Sequence, residues 1–266
     1  MLKEMNRNVL IGGGLIAVLL VIGVVVKDKL PLPNVPSENQ TATTTGEFGA
    51  EGTGNFTIEQ VPVNEVESLP PSPNLNRQVR FTASTEAEVR AVVLTNIATL
   101  TSSLKANTDD LESWVSLGAM YKIAGDYAAA RDAWEYASII RPYNYPSFGN
   151  LGDLYHHYLK NYPKAESNYL RAIQNEPEFI DGYRGLYELY RYSFSGKGEA
   201  AAQILKRGIT ANPQAYDLMI LLGDYYRDRG EPSNAVTYYE QALMEVKRIG
   251  NTTLGADLEV KISALK

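Results

Sequence analysis

Apolar residues recur at helical spacing along the second half of the chain, with small residues at fixed places between the large ones. Trp114, Leu117 and Tyr121 fall at i, i+3 and i+7, one stripe of a helix. Gly118 lies on the same side and has no side chain, so a paired helix can approach closely there. On the next stretch Ala130, Trp134 and Ala137 alternate small, large, small, letting knobs seat between facing residues. Gly125 predicts the turn between the two helices, and Pro142 the end of the second. The order then recurs. Phe148, Leu151, Gly152, Tyr155, Ala165, Tyr169, Ala172 and Pro177 repeat it with one residue added in the turn. Tyr183, Leu186, Tyr190, Ala201, Leu205, Gly208 and Pro213 repeat it with two added. Met219, Leu222, Gly223, Tyr226, Ala235, Tyr239 and Ala242 return to the first spacing, with Gly230 at the turn. The period is about 34 to 36 residues. One helix pair leaves its outer face wet, so neighbouring pairs must stack to close a core.

Two further amphipathic stretches flank these units. Thr85 with Glu88 reads as a capping box, followed by Val89, Val92, Val93, Ile97, Leu100 and Leu104, a stripe expected to cover the first repeat. Leu254, Leu258, Ile262 and Leu265 form a C-terminal stripe expected to shield the last. The third unit departs from the pattern. Tyr187 stands where the others have glycine, Gly208 replaces alanine, and Ser193 to Gly198 make a longer turn. Looser packing or a local bend is expected there.

The multi-position register resembles the tetratricopeptide repeat family, over residues 111–247 or so. The resemblance implies an all-α, tetratricopeptide-type α-solenoid. It has about four helix-turn-helix repeats (about 111–144, 145–178, 179–214 and 215–248) within a domain spanning 84–266, with a capping helix at 253–265. In that family the first helix of each pair lines a concave, peptide-binding face. By register this implies Glu112, Val115, Ala119 and Lys122 from the first repeat, and Asn150, Asp153 and His157 from the second. The third gives Arg184, Glu188 and Arg191, and the fourth Ile220, Asp224 and Arg227. The subgroup that clamps a terminal carboxylate with Lys and Asn is matched only at Asn150. Val115, Ala119, Asp181 and Gly185 occupy its other places. Most tyrosines belong to the core by position, with Tyr143, Tyr145 and Tyr192 as candidates for exposed contacts.

The opposite end of the chain has a different pattern. After a short tail at 1–8, Val9 to Val26 carry no charge and are mostly Val, Leu, Ile and Gly. As a helix this run is roughly 27 Å long, enough for a bilayer core of about 30 Å. A cleaved signal peptide fits less well, because the run exceeds the usual apolar core and ends at Val26-Lys27 without a small-residue cleavage site. A single transmembrane helix at 9–26 is therefore expected. Lys3 and Arg7 before it balance Lys27 and Lys29 after it, and the free amino terminus tips the orientation toward a cytoplasmic N-terminus. That places the repeats outside the cytoplasm. Residues 27–83 are rich in Pro, Thr, Gly, Glu and Asn without lasting periodicity, and read as a disordered linker.

Composition narrows the function. A formal charge of −6 without a Lys/Arg stripe argues against nucleic acid as a partner, and the absence of cysteine removes disulfides and thiol chemistry. Gly196-Lys197-Gly198 lacks the flanking Gly and Ser/Thr of a phosphate loop and joins two helices. His156 and His157 are the only histidines; adjacent on a helix, they point apart and read as a polar turn end. No catalytic constellation, cofactor or metal site is expected. The expectation is a non-enzymatic, membrane-anchored scaffold binding a protein or peptide. The alternatives are a structural subunit of an envelope or secretion complex that forms homo-oligomers through the repeats or the span, and a docking module of an enzyme complex.

Overall fold

The computed structural model describes residues 69–266; the span expected at 9–26 and most of the linker lie outside them. The described residues form ten α-helices and no strand. They are α1 (Ala87–Ala106), α2 (Leu111–Ala124), α3 (Tyr127–Ile140), α4 (Tyr145–Asp153) and α5 (Tyr162–Asn175), then α6 (Ile180–Glu188), α7 (Gly198–Ala211), α8 (Tyr216–Asp228), α9 (Pro232–Arg248) and α10 (Thr252–Ser263). Each helix packs on its neighbours in sequence, as a solenoid requires. Side-chain oxygens of Asp110, Asp126, Asn144, Asn161 and Asn251 accept from backbone amides in the first turns of α2, α3, α4, α5 and α10. Asp109 beside the first of these is instead paired with Arg141 at 2.7 Å. Gly125 and Gly230 turn the chain in the left-handed region, at φ 86° and 72°.

The rhythm of large and tiny residues has a direct physical basis. A Cβ on Gly118 would lie 2.3 Å from Trp134 Nε1, one on Gly152 2.5 Å from Tyr169 Cδ1, and one on Gly223 2.5 Å from Tyr239 Cε1. In three of the four pairs, then, an aromatic ring of the second helix is pressed against bare backbone of the first. The third pair reverses the arrangement. Tyr187 on α6 stands at the glycine position and Leu205 on α7 at the ring position, and both are buried. The bulk has changed helix without leaving the core.

The residue added in repeat two and one of the two added in repeat three are absorbed by the helices, where the sequence had placed them in the turns; the other lengthens the turn before α7. Leu154–Tyr158 continues α4, and Leu189–Ser193 continues α6, as π-helix. Amides of Leu159 and Phe194 reach back five residues, to the carbonyls of Leu154 at 2.9 Å and Leu189 at 2.7 Å. A π-turn takes up an extra residue while keeping both flanking faces in register. It also buries His156, which had been read as a polar turn end. Its Nε2 lies 2.9 Å from Ser193 Oγ, so the two π-turns are joined to each other. Burial pulls the imidazole down to about 4, leaving it neutral near pH 7. The His156 and His157 rings sit 3.9 Å apart.

Two expectations at the front of the domain need correction. Thr85 does not cap α1. The N-cap is Glu86 without a side-chain bond, while the Thr85 hydroxyl pairs with Thr82 and its carbonyl accepts from Arg90 Nε at 2.9 Å. On α1, Val93, Ile97 and Leu104 are buried, but Val89 and Val92 remain exposed. The end of the expected linker is also ordered. From Pro73 to Phe81 every second residue is half-buried, and Leu75, Val79 and Phe81 pack on the core. This strap is held by Arg77 to Asp132 at 3.2 Å, and by the amides of Arg80 and Thr82 to the Asp126 carboxylate and Ala124 carbonyl. The physical reason is the alternation itself: an extended segment with one apolar side can dock on helices despite a loop-like composition.

A candidate protein-binding face on the first helices

The thirteen residues expected to line the groove all lie on the first helices of the repeats or the π-turns continuing them, and none is buried. Their charges are mostly paired within the array, several of them across repeat boundaries. Lys122 of α2 pairs with Asp153 of α4, and Arg184 of α6 with Asp217 of α8. Arg191 reaches Asp228 at 3.4 Å and lies over the Tyr225 ring. Asp224 takes Arg227 at 2.8 Å, Lys261 of α10 at 2.8 Å and the Tyr239 hydroxyl at 2.6 Å. The first helices are thus laced side by side by ion pairs at half-exposed sites, each of the kind worth up to about 1 kcal/mol alone.

Five of the thirteen are brought together. Asn150, Asp153, His157, Arg184 and Glu188 border one cleft of about 430 Å³ between α4 and α6. Val115, Ala119 and Ile220 do not border it; they are half-buried and pack toward the core. The cleft adds residues that the register did not indicate, namely Tyr145, Phe179 and Tyr169. The Tyr145 and Phe179 rings stand 5.0 Å apart. Tyr169 belongs to α5, a second helix, yet its ring passes between Gly152 and Gly185 to reach the cleft floor. The exposure of Tyr143, at 83%, and of Tyr192, at 70%, agrees with their reading as surface residues. Lys197, whose flanks already set it apart from a phosphate loop, is bound to Glu166 at 2.9 Å. Among the described residues, no three His, Asp or Glu side chains are grouped to hold a metal ion.

Comparison with known proteins supports the fold. The structure of MamA aligns with 62% of this chain and 94% of its own, at 20% identity and a TM-score of 0.52. That of PilF from Pseudomonas aeruginosa aligns with 66% and 82%, at 16% identity and 0.50. Both likenesses concern the fold. A human relative, Protein IFIT1 homolog B, is 30% identical over 93 residues, which are 33% of this chain. The chain spans about a fifth of that relative's length, 20%. Residues 190–251, from the π-turn after α6 into the turn after α9, match the tetratricopeptide repeat model. That match and the shared architecture support the tetratricopeptide repeat family for this helical array.

Proposed function

We propose that the protein is a membrane-tethered scaffold that holds an extended segment of another protein along the face of its first helices. The observation that carries this reading is the cleft between α4 and α6, where five of the residues implied by register meet two aromatic rings. Tetratricopeptide arrays in general serve as protein-interaction modules, and the bordering residues mix apolar contact with polar groups, which suits a peptide backbone and its side chains. The tether is assigned to residues 9–26, which carry no charge, with the amino terminus in the cytoplasm and the array outside it.

A photo-crosslinking residue at Asn150, in the full-length chain in intact cells, is expected to capture a partner; one at the exposed Ser167 of α5 is not. Capture from Ser167 alone would overturn the groove reading. In the same cells the native chain should stay with membranes through alkaline extraction, and a chain lacking 9–26 should be released. A native chain that washes off would remove the tether.

A second reading has an observation of its own. Met244, Ile249 and Val260, at the last two helices, are exposed apolar side chains of the kind that self-association covers. A lasting oligomer of the full-length chain, lost on Met244→Glu, would favour a structural assembly subunit.

A further inference from the structure

The three aromatic wedges that the second helices drive under glycines end differently. Trp134 Nε1 donates to the Val115 carbonyl at 2.9 Å, and the Tyr239 hydroxyl donates to Asp224 at 2.6 Å. Tyr169 is 3% exposed and borders the cleft, yet its hydroxyl has no hydrogen-bond partner among the described residues. Asp224 directly follows Gly223, and the equivalent residue after Gly152 is Asp153, which Lys122 of the preceding repeat has taken. The ring is buried while the hydroxyl opens on the cleft, where it is free to bond whatever enters.

The charge of the cleft selects the visitor. Asp153, Asp181 and Glu188 border it against a single guanidinium, Arg184, which is already held by Asp181 and Asp217. Glu188 has no ion pair among the described residues. Burial, and then the charges of Asp153, Glu188 and Asp181, push the Tyr169 phenol up, so it stays protonated beside carboxylates. Tyr145, Phe179, Asp181 and Arg184 also border a second hollow of about 710 Å³, where Glu176 and Glu178 extend the acidic lining. An anion entering here would meet like charge, and an apolar group would leave the Tyr169 hydroxyl unpaired. A cation gains from the carboxylates, from the phenol oxygen as acceptor, and from the faces of two aromatic rings.

We propose that the cleft between α4 and α6 receives a lysine or arginine side chain of the partner, with Tyr169 and Glu188 as its polar contacts and Tyr145 and Phe179 as its aromatic walls. This rests on the reading that the face of the first helices binds a polypeptide, and it names the chemistry of the segment bound.

The test uses the full-length chain in detergent and fluorescein-labelled ten-residue peptides of alanine and leucine bearing none, two or four lysines, or four glutamates. The four-lysine peptide is expected to bind roughly tenfold tighter than the lysine-free one at low salt, with the difference shrinking as salt is added. Glu188→Gln should weaken it roughly fivefold, and Tyr169→Phe, which keeps the ring, by a similar factor at unchanged melting temperature. Glu188→Lys should turn the preference toward the glutamate peptide. Asp257→Asn, which removes an exposed charge on α10, should change nothing. Equal binding of all peptides overturns the proposal, as does an Asp257→Asn effect as large as that of Glu188→Gln. Should all peptides bind alike and Asn150→Trp block them all, the groove reading stands and the cationic partner falls. Should no peptide bind, both fall.

Discussion

Replacing Gly152 by leucine is expected to destabilise the protein by about 3 kcal/mol, at the upper end of overpacking costs, lowering the melting midpoint by roughly 6–12 °C. The new Cβ would lie 2.5 Å from Tyr169 Cδ1 and 2.8 Å from Cγ, inside any permitted contact. The ring has no room to retreat, because on its far side Gly185 backbone stands where a Cβ would be 2.5 Å from Tyr169 Cζ. The sign is diagnostic, since glycine inside a helix is ordinarily a cost of about 1 kcal/mol relative to alanine. Gly255 in α10 supplies the contrast. A Cβ there meets nothing nearer than Leu243 at 3.7 Å, so Gly255→Ala should stabilise by roughly 0.5–1 kcal/mol. Repeat three suggests the rescue. There a buried Tyr187 holds the glycine position of the first helix and a buried Leu205 the ring position of the second, so Gly152→Tyr combined with Tyr169→Leu gives repeat two the residue pair that repeat three already uses. The double variant should unfold at a higher temperature than either single one. Thermal unfolding followed by circular dichroism measures all of these. Additive single effects, or an unchanged midpoint for Gly152→Leu, would contradict the register.

That register was legible because each glycine and its partner ring are separated by a near-constant interval, so the packing geometry is written directly as spacing. Helix ends were legible for a similar reason, with Pro142, Pro177 and Pro213 each following the last helical residue by two. The π-turns were not, because residue periodicity reports how many residues are added but not whether a helix or a turn absorbs them. The cleft was read in half. Asn150, Asp153, His157, Arg184 and Glu188 follow from position on a first helix, but Tyr169 belongs to a second helix and looks like core by every local criterion. Only the placement of two glycines, Gly152 and Gly185, one repeat apart, opens its path to the cleft. The pairing of Lys122 with Asp153 and Arg184 with Asp217 joins residues more than 30 positions apart, a relation fixed by how the repeats stack. It has a consequence for the face itself. Arg184 and Arg191 are occupied within the array, and the cleft between α4 and α6 keeps more carboxylates than cations.

Asp126 is the residue on which the front of the array depends most, and Asp126→Ala is expected to cost about 2–3 kcal/mol, from a lost helix cap and an orphaned amide. Its carboxylate is buried and serves three groups. One oxygen accepts from the Ala129 amide at 3.2 Å, capping α3, and lies 3.6 Å from the Arg77 guanidinium. The other accepts from the Arg80 amide at 3.2 Å, in the extended strap. The same carboxylate therefore starts a helix and fastens the segment that leads back toward residues 27–68. The strap has few other fixings: Arg77 to Asp132, and the Thr82 amide to the Ala124 carbonyl at 3.1 Å. Losing the central one should free it locally before the repeats unfold. Arg77 and Arg80 then become substrates for trypsin, which gives a readout separate from global stability. In Asp126→Ala, cleavage after these arginines should run many-fold faster than in the native chain, while cleavage within α4 to α9 stays slow. Asp126→Asn keeps an acceptor for the cap but loses the charge facing Arg77, and should fall between the two. If the strap of Asp126→Ala were cut no faster than the native one, residues 73–82 would be held by their apolar side chains alone, and the carboxylate would be a helix cap and nothing more.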